Sequence, residues 1–113
     1  MYGEEISDEV KEDYFETNLK AAEIGFVESM RKVAGAYLNG FGVEKNFDAA
    51  IQEYSTAIRL NPAYADAYYN RAAIYYGQKK YVEALADVKK SMSLNLADNA
   101  TLDLYGKILR IIG

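Results

Sequence analysis

Apolar residues recur along the chain at intervals of three and four, which is the spacing of one face of an α-helix. The first such stripe runs from Phe15 to Tyr37. Ser7 precedes two acidic residues and predicts the start of this helix, because its hydroxyl can cap the helix and acids favour the N-terminal end. The helix is expected to end by Gly40. Gly25 lies within the stripe and leaves open a bend or a break, since a mid-helix glycine costs about 1 kcal/mol relative to alanine.

Four further apolar stripes predict four further helices, over about residues 46–60, 64–78, 81–95 and 98–112. Asn46 or Asp48 can cap the first of these. The Asn61-Pro62 pair ends it, because the residue before a proline avoids the helical region. No segment shows the alternation of a β-strand. The pattern therefore predicts an all-α protein of about five helices.

The second half of the chain repeats itself with an offset of 34 residues. The words LNPAYADAYYNRAAIYY and LNLADNATLDLYGKILR start at Leu60 and Leu94, and the same offset links Ala50 to Ala84. A period of this length that contains two helices indicates a helical repeat protein, in which each unit buries its apolar face against its neighbours.

The repeat resembles the tetratricopeptide repeat, whose pattern is W-x2-L-G-x2-Y, then A-x3-F, then P. Three copies carry the pattern: Met30-x2-Val33-Ala34-x2-Tyr37 with Ala50, Tyr54 and Pro62; Tyr68-x2-Arg71-Ala72-x2-Tyr75 with Ala84 and Val88; and Leu102-x2-Tyr105-Gly106-x2-Leu109. The small residues Ala34, Ala72 and Gly106 are expected where paired helices approach most closely. The first copy has four extra residues in its turn and resembles the SEL-type variant, with Phe41 and Val43 expected to fold the turn back onto the helices.

This resemblance implies antiparallel helix hairpins that stack into a short right-handed superhelix. We expect an acidic segment over residues 1–20 that leads into the first helix, and a tetratricopeptide-like domain over 21–113. Within that domain, repeat 1 covers about 26–64, repeat 2 about 65–98, and residues 99–113 form a half repeat or capping helix.

The resemblance also implies a function in binding proteins. In this family the first helix of each hairpin lines a concave groove that receives an extended peptide, and Tyr beside Arg and Asn is typical of recognition surfaces. The first hypothesis is therefore a non-catalytic module that binds a protein or peptide. By helical phase, the groove residues are Arg31, Lys32, Asn39, Asp66, Tyr69, Asn70, Tyr76, Asp103, Lys107 and Arg110.

Two alternatives remain open. The apolar C-terminal helix, through Ile108, Ile111 and Ile112, would join copies of the chain into a homo-oligomer. The third hypothesis is a co-chaperone that holds the terminal carboxylates of heat-shock chaperones of the seventy- and ninety-kilodalton classes. Its family clamp uses five Lys, Asn and Arg side chains, and the matching positions here are Arg31, Gly35, Asn70, Ala100 and Leu104, so three of the five polar groups are missing.

The amino-acid composition excludes several kinds of catalytic and metal-binding site. The 113 residues include no His and no Cys, which removes imidazole bases, thiol nucleophiles and thiolate metal sites, and no cofactor or metal is expected. The net charge of −4 disfavours nucleic acid as a partner. The acidic N-terminal residues do not form a signal peptide and no apolar run is long enough to span a membrane, so a cytoplasmic, non-enzymatic protein is predicted.

Overall fold

The computed structural model describes residues 6–95 and 98–113. These residues form six α-helices and no β-strand, so the prediction of an all-α protein is confirmed. The helices are α1 (Asp8–Glu23), α2 (Val27–Asn39), α3 (Phe47–Leu60), α4 (Ala65–Gly77), α5 (Tyr81–Leu94) and α6 (Asn99–Ile112).

The count is six rather than about five because the first predicted helix is broken at Gly25. This residue has a φ of 102°, a left-handed conformation that only glycine adopts without strain. The amide groups of Gly25 and Phe26 bond to the carbonyls of Ala22 and Ala21, which closes the end of α1. An added Cβ at Gly25 would meet no atom within 4 Å, so the backbone angle rather than lack of space requires glycine.

Polar side chains cap three of the helices. The Ser7 hydroxyl accepts a hydrogen bond from the amide of Val10 at 3.2 Å, as expected for the start of α1. The Asn46 carboxamide oxygen accepts one from Ala49 at 3.0 Å and begins α3. The Asp98 carboxylate accepts one from Ala100 at 3.0 Å and begins α6. Each cap satisfies an amide that the helix itself leaves unpaired.

The helices fall into two compact units, Met1–Glu53 and Tyr54–Gly113, with the division inside α3. In the first unit α1 packs against α2. Phe15 of α1 is buried and meets the ring of Tyr37 edge-on, with the ring centroids 5.2 Å apart. Val33 and Ala34 of α2 are fully buried. The apolar stripe that predicted one long helix is therefore the buried face of two packed helices.

The long turn after α2 packs against α1 within the same unit, as expected for Phe41. The ring of Phe41 lies edge-on to Tyr14, with centroids 5.3 Å apart, and under the ammonium group of Lys11. Gly42 has a φ of 76° and lies so close to α1 that a Cβ would clash with the Lys11 carbonyl. The turn therefore needs glycine at this position both for its backbone angle and for the close approach.

In the second unit α5 packs against α4, and α6 packs against both. The centre of this unit is a buried cluster, defined here as the unit 2 core, of Ala72, Ala84, Val88, Leu104 and Ile108. Ala72 is fully buried here, and Ala34 is fully buried in the first unit, as expected for small residues where paired helices touch. The same expectation for Gly106 is wrong, because this residue is only half-buried and a Cβ added to it would meet no atom within 4 Å.

Glu53, in α3, gives a testable pH dependence. Its pKa is raised, chiefly by burial and secondly by the negative charge of Glu23. A carboxyl group with a raised pKa in the folded state binds its proton more tightly than in the unfolded chain, so stability falls as pH rises through the ordinary glutamate pKa of 4.5 and the higher pKa of the folded state. Glu53→Gln is therefore expected to be more stable than the parent at pH 7, by less than about 1 kcal/mol because the group is partly solvated.

Urea unfolding at pH 7 and at about pH 3.5 measures this difference. The advantage of Glu53→Gln should shrink at the lower pH, where Glu53 is protonated in both states. Glu16→Gln, at an exposed position of α1, is the matched control. Equal stability of Glu53→Gln and the parent at pH 7 would show that burial does not disfavour the charge.

Candidate functional site

Helix α4 carries most of the predicted site residues of the second unit and presents them on one side. These residues share one helical face, because at 100° per residue their positions fall within about 120° of one another. They are Asp66, Tyr69, Asn70 and Tyr76. Asp66 is exposed, and the other three are half-buried. The α4 face, as this set is named below, is thus part polar and part aromatic.

The Asn70 carboxamide has no hydrogen-bond partner within the described part of the chain. The side chain is half-buried and forms no hydrogen bond with residues 6–95 or 98–113. Neither of its polar atoms is fully enclosed. A carboxamide can donate two hydrogen bonds and accept two, as an extended peptide backbone requires. Asn70 is therefore available to a ligand.

The two tyrosines of the α4 face are anchored by packing. Tyr69 and Tyr76 lie against the unit 2 core, and the ring of Tyr76 also meets Tyr81 edge-on with centroids 5.8 Å apart. Their rings therefore contribute to the fold, while both residues stay partly exposed. Such fixed aromatic rings lose little conformational entropy when a partner binds.

An ion pair on the neighbouring side of α4 was missed in the sequence. The Arg71 guanidinium donates two hydrogen bonds to the Asp87 carboxylate, both at 2.7 Å, and a third to the Ser55 hydroxyl at 2.8 Å. The Asp87 bonds raise the pKa of Arg71. The network joins α4 to α5 and α3, so Arg71 holds the helices together and is not a site residue. The sequence feature that could have indicated this ion pair is a charged residue beside a buried position on each helix: Arg71 precedes Ala72, and Asp87 precedes Val88.

The predicted residues of α6 lie on its exposed side. Lys107 and Asp103, one helical turn apart, form an ion pair at 3.2 Å. Arg110 is exposed and forms no ion pair within the described part of the chain. Because α6 contacts α4, these charges belong to the same unit as the α4 face. Asp103 partly neutralises the charge of Lys107. Of the two cations of α6, Arg110 is therefore the more available to a partner.

The three predicted residues of the first unit lie on α2. Arg31 forms an ion pair with Glu28 on the same helix, and Lys32 is half-buried. The exposed Asn39 donates a hydrogen bond from its side chain to the Gly35 carbonyl at 3.0 Å. Arg31 and Asn39 thus have partners on their own helix, unlike Asn70.

One predicted surface residue is wrong. Ile108 was assigned to an exposed oligomerisation surface, but it is fully buried in the unit 2 core. The helical phase explains the error, because Ile108 lies four residues after the buried Leu104 and so faces α4 and α5. Ile111 and Ile112 are exposed, as expected. Any interaction surface on α6 therefore excludes Ile108.

No group of three or more acidic side chains among residues 6–95 and 98–113 is arranged to hold a metal ion. Within those residues no helix combines the length and the apolar character needed to cross a membrane.

Comparison with known families identifies the class of repeat. A family model described as TPR repeat matches residues 44–79, and one described as Tetratricopeptide repeat matches residues 65–98. The chain therefore contains tetratricopeptide repeats, as its sequence pattern predicted. Repeats of this class are scaffolds for protein interactions, and the fold alone does not define the partner.

Three proteins from different organisms illustrate what the chain is similar to. Stress-induced-phosphoprotein 1 of Caenorhabditis elegans is 30% identical over 70 residues, which is 62% of this chain and 22% of that protein. Hsp70-Hsp90 organizing protein 3 of Arabidopsis thaliana is 40% identical over 57 residues, 50% of this chain and 10% of that protein. Small glutamine-rich tetratricopeptide repeat-containing protein 2 of Saccharomyces cerevisiae is 30% identical over 92 residues, 81% of this chain and 24% of that protein. The chain thus spans a quarter or less of these relatives.

Proposed function

We propose that the chain is a non-catalytic protein-interaction module whose α4 face binds an extended peptide segment of a partner protein. The observation that carries the proposal is the half-buried carboxamide of Asn70, which has no hydrogen-bond partner among residues 6–95 and 98–113 and shares the α4 face with two anchored tyrosines. An extended peptide has unpaired backbone N–H and C=O groups at regular intervals. One carboxamide can bond both kinds of group, while the tyrosine edges contact the flanking side chains.

The nearby charges support a partner of mixed polarity. Arg110 on α6, which forms no ion pair with the residues that the structure describes, offers a cation to an acidic side chain, and Asp66 at the start of α4 offers an anion to a basic one. Exposed charges of this kind contribute more to the association rate and to specificity than to affinity. The proposed binding energy therefore comes mainly from Asn70, Tyr69 and Tyr76.

Peptide titration tests this proposal. A peptide is first selected on the chain from a displayed library of extended segments, and its synthetic form is titrated by calorimetry. Asn70→Ala is expected to bind about tenfold more weakly, since the loss of one or two hydrogen bonds costs about 1.4 kcal/mol. Tyr69→Phe removes only a hydroxyl and keeps the ring against the core, so it is preferable to Tyr69→Ala, which would also destabilise the fold.

Asn18→Ala is the matched control. It removes the same side chain from α1, where the Asn18 side chain donates a hydrogen bond to the Tyr14 carbonyl at 2.9 Å. Its affinity for the peptide should equal that of the parent. A library without any binder, or equal losses in Asn70→Ala and Asn18→Ala, would contradict the role of the α4 face.

A second candidate is suggested by the names of the relatives, one of which is an Hsp70-Hsp90 organizing protein. Under this candidate the chain would hold the terminal carboxylate of a chaperone tail. The residues argue against it, because Gly35 and Ala100 offer no polar side chain and Leu104 is buried in the unit 2 core. A bidentate cation site cannot be replaced by these residues.

The same titration distinguishes the two candidates. A peptide that ends in a free aspartate carboxylate is compared with its C-terminal amide. Peptide binding along α4 does not depend on the terminal carboxylate, so the two forms should bind equally. Loss of binding on amidation alone would favour the chaperone-tail candidate instead.

A further inference from the structure

Helix α6 has an exposed apolar stripe. The corresponding positions of the two earlier repeats are more deeply buried. The stripe consists of Leu102, Gly106, Leu109 and Ile112, and it is called the α6 stripe below. At the offset of 34 residues, Leu102, Gly106 and Leu109 correspond to Tyr68, Ala72 and Tyr75 of α4.

The exposure of these positions differs sharply between the copies. Leu102 is 42% exposed, whereas its counterparts Tyr68 and Met30 are 8% and 3% exposed. Leu109 is 39% exposed, whereas its counterparts Tyr75 and Tyr37 are half-buried. Ala72 is fully buried among residues that include Ala84 and Val88 of α5. A Cβ added at Gly106 would meet no atom within 4 Å. The α6 stripe is thus a suitable docking surface for the apolar face of an amphipathic helix, and none of the described residues covers it.

The chain itself offers a helix face that fits this seat. Val10 and Tyr14 of α1 are 55% and 40% exposed and lie one helical turn apart, beside the exposed acids Glu9 and Asp13; these four residues are called the α1 face. Arg110 borders the α6 stripe at the next position along the chain from Leu109. The apolar side chains of α1 in one copy can therefore meet the α6 stripe of another. Acids border the first surface, and a cation borders the second.

The two halves of the chain also carry opposite net charges. Residues 1–53 carry 12 acidic and 5 basic side chains, a net charge of −7, whereas residues 54–113 carry 5 acidic and 8 basic ones, a net charge of +3. Two like ends repel each other, and two unlike ends attract. We propose that the chain associates head to tail, with the α1 face of one copy seated on the α6 stripe of a second copy.

A heterologous contact of this kind leaves one free face at each end of the assembly, so it does not stop at two copies unless it closes into a ring. The measured mass in sedimentation should therefore rise above that of a dimer as concentration increases. The apolar contact excludes water, and the charges add attraction that salt screens, so added salt should reduce the mass. This association is independent of the proposed peptide binding, because Asn70 is not part of either face.

Two charge substitutions and their mixture test the proposal by analytical ultracentrifugation. Val10→Lys places a cation in the acidic α1 face, and Leu109→Glu places an anion in the α6 stripe. Each variant alone has one intact face and should sediment as a monomer. An equimolar mixture contains one intact face of each kind and should form a dimer, twice the mass of one chain, that grows no further.

Controls keep the outcome unambiguous. Ile111→Glu changes an equally exposed residue on the opposite side of α6 and should associate like the parent. Circular dichroism checks that each variant folds, and Leu102→Glu, on the same stripe, replaces Leu109→Glu if that variant unfolds. A parent chain that stays monomeric at all concentrations overturns the proposal. So does a dimer that Val10→Lys leaves intact, since that result indicates a symmetric contact of α6 with itself.

Discussion

Ile108→Ala should lower the free energy of unfolding by about 4 kcal/mol. The Ile108 side chain is 0% exposed and joins α6 to the cluster of Ala72, Ala84, Val88 and Leu104. Removing its outer carbons loses their transfer free energy and leaves a cavity that α4 and α5 fill only in part. Urea unfolding followed by circular dichroism gives the difference.

Ile111→Ala is the matched control for this measurement. Ile111 lies on the same helix, but its side chain is 48% exposed. The same truncation there should change stability by no more than about 0.5 kcal/mol, because little buried area is lost. Similar losses at both positions would contradict the assignment of Ile108 to the core and restore it to the surface.

Asp87→Ala should cost about 3 kcal/mol, since it leaves the Arg71 guanidinium without its main partner. The Arg71 and Asp87 side chains are only 19% and 8% exposed, and their two hydrogen bonds are both 2.7 Å long. Water can solvate the stranded cation only in part. Ser55 keeps one hydrogen bond to Arg71, but a neutral hydroxyl does not replace a carboxylate.

Asp103→Ala removes the acid of a more exposed ion pair of this unit and serves as the control. The side chains of Lys107 and Asp103 are 48% and 65% exposed, and such pairs contribute about a few tenths of a kcal/mol. The double variant Arg71→Leu with Asp87→Leu should recover most of the loss, because an apolar pair of similar size needs no partner. If Asp87→Ala and Asp103→Ala were equally stable, the Arg71 network would not hold the helices together.

The helices were predictable from the sequence because the signals are local. The apolar period of three and four, the cap at Ser7 and the Asn61-Pro62 stop depend on a few adjacent residues, and each agrees with the structure. The break at Gly25 was less certain. Whether a helix continues through glycine depends on the packing of both flanking segments, and the sequence pattern allowed either result.

The site was harder to predict because side-chain partners are set by tertiary structure. Helical phase places Asn70 on one face of α4, but only the structure reveals that its carboxamide has no partner among the described residues. Phase likewise cannot tell that Arg71 reaches Asp87, sixteen positions away on α5. Ile108 was misplaced because several neighbours on α6 are also apolar, so the sequence does not reveal which of them faces the core.

The side-chain amide signals of Asn70 test the central claim most directly. In a nuclear magnetic resonance titration with the selected peptide, the Asn70 NH₂ signals should shift in proportion to the fraction of peptide bound. The NH₂ signals of Asn18, on α1 and already bonded to the Tyr14 carbonyl, should stay unchanged. A shift at Asn18 without one at Asn70, under conditions where the peptide is bound, would contradict peptide recognition by the α4 face.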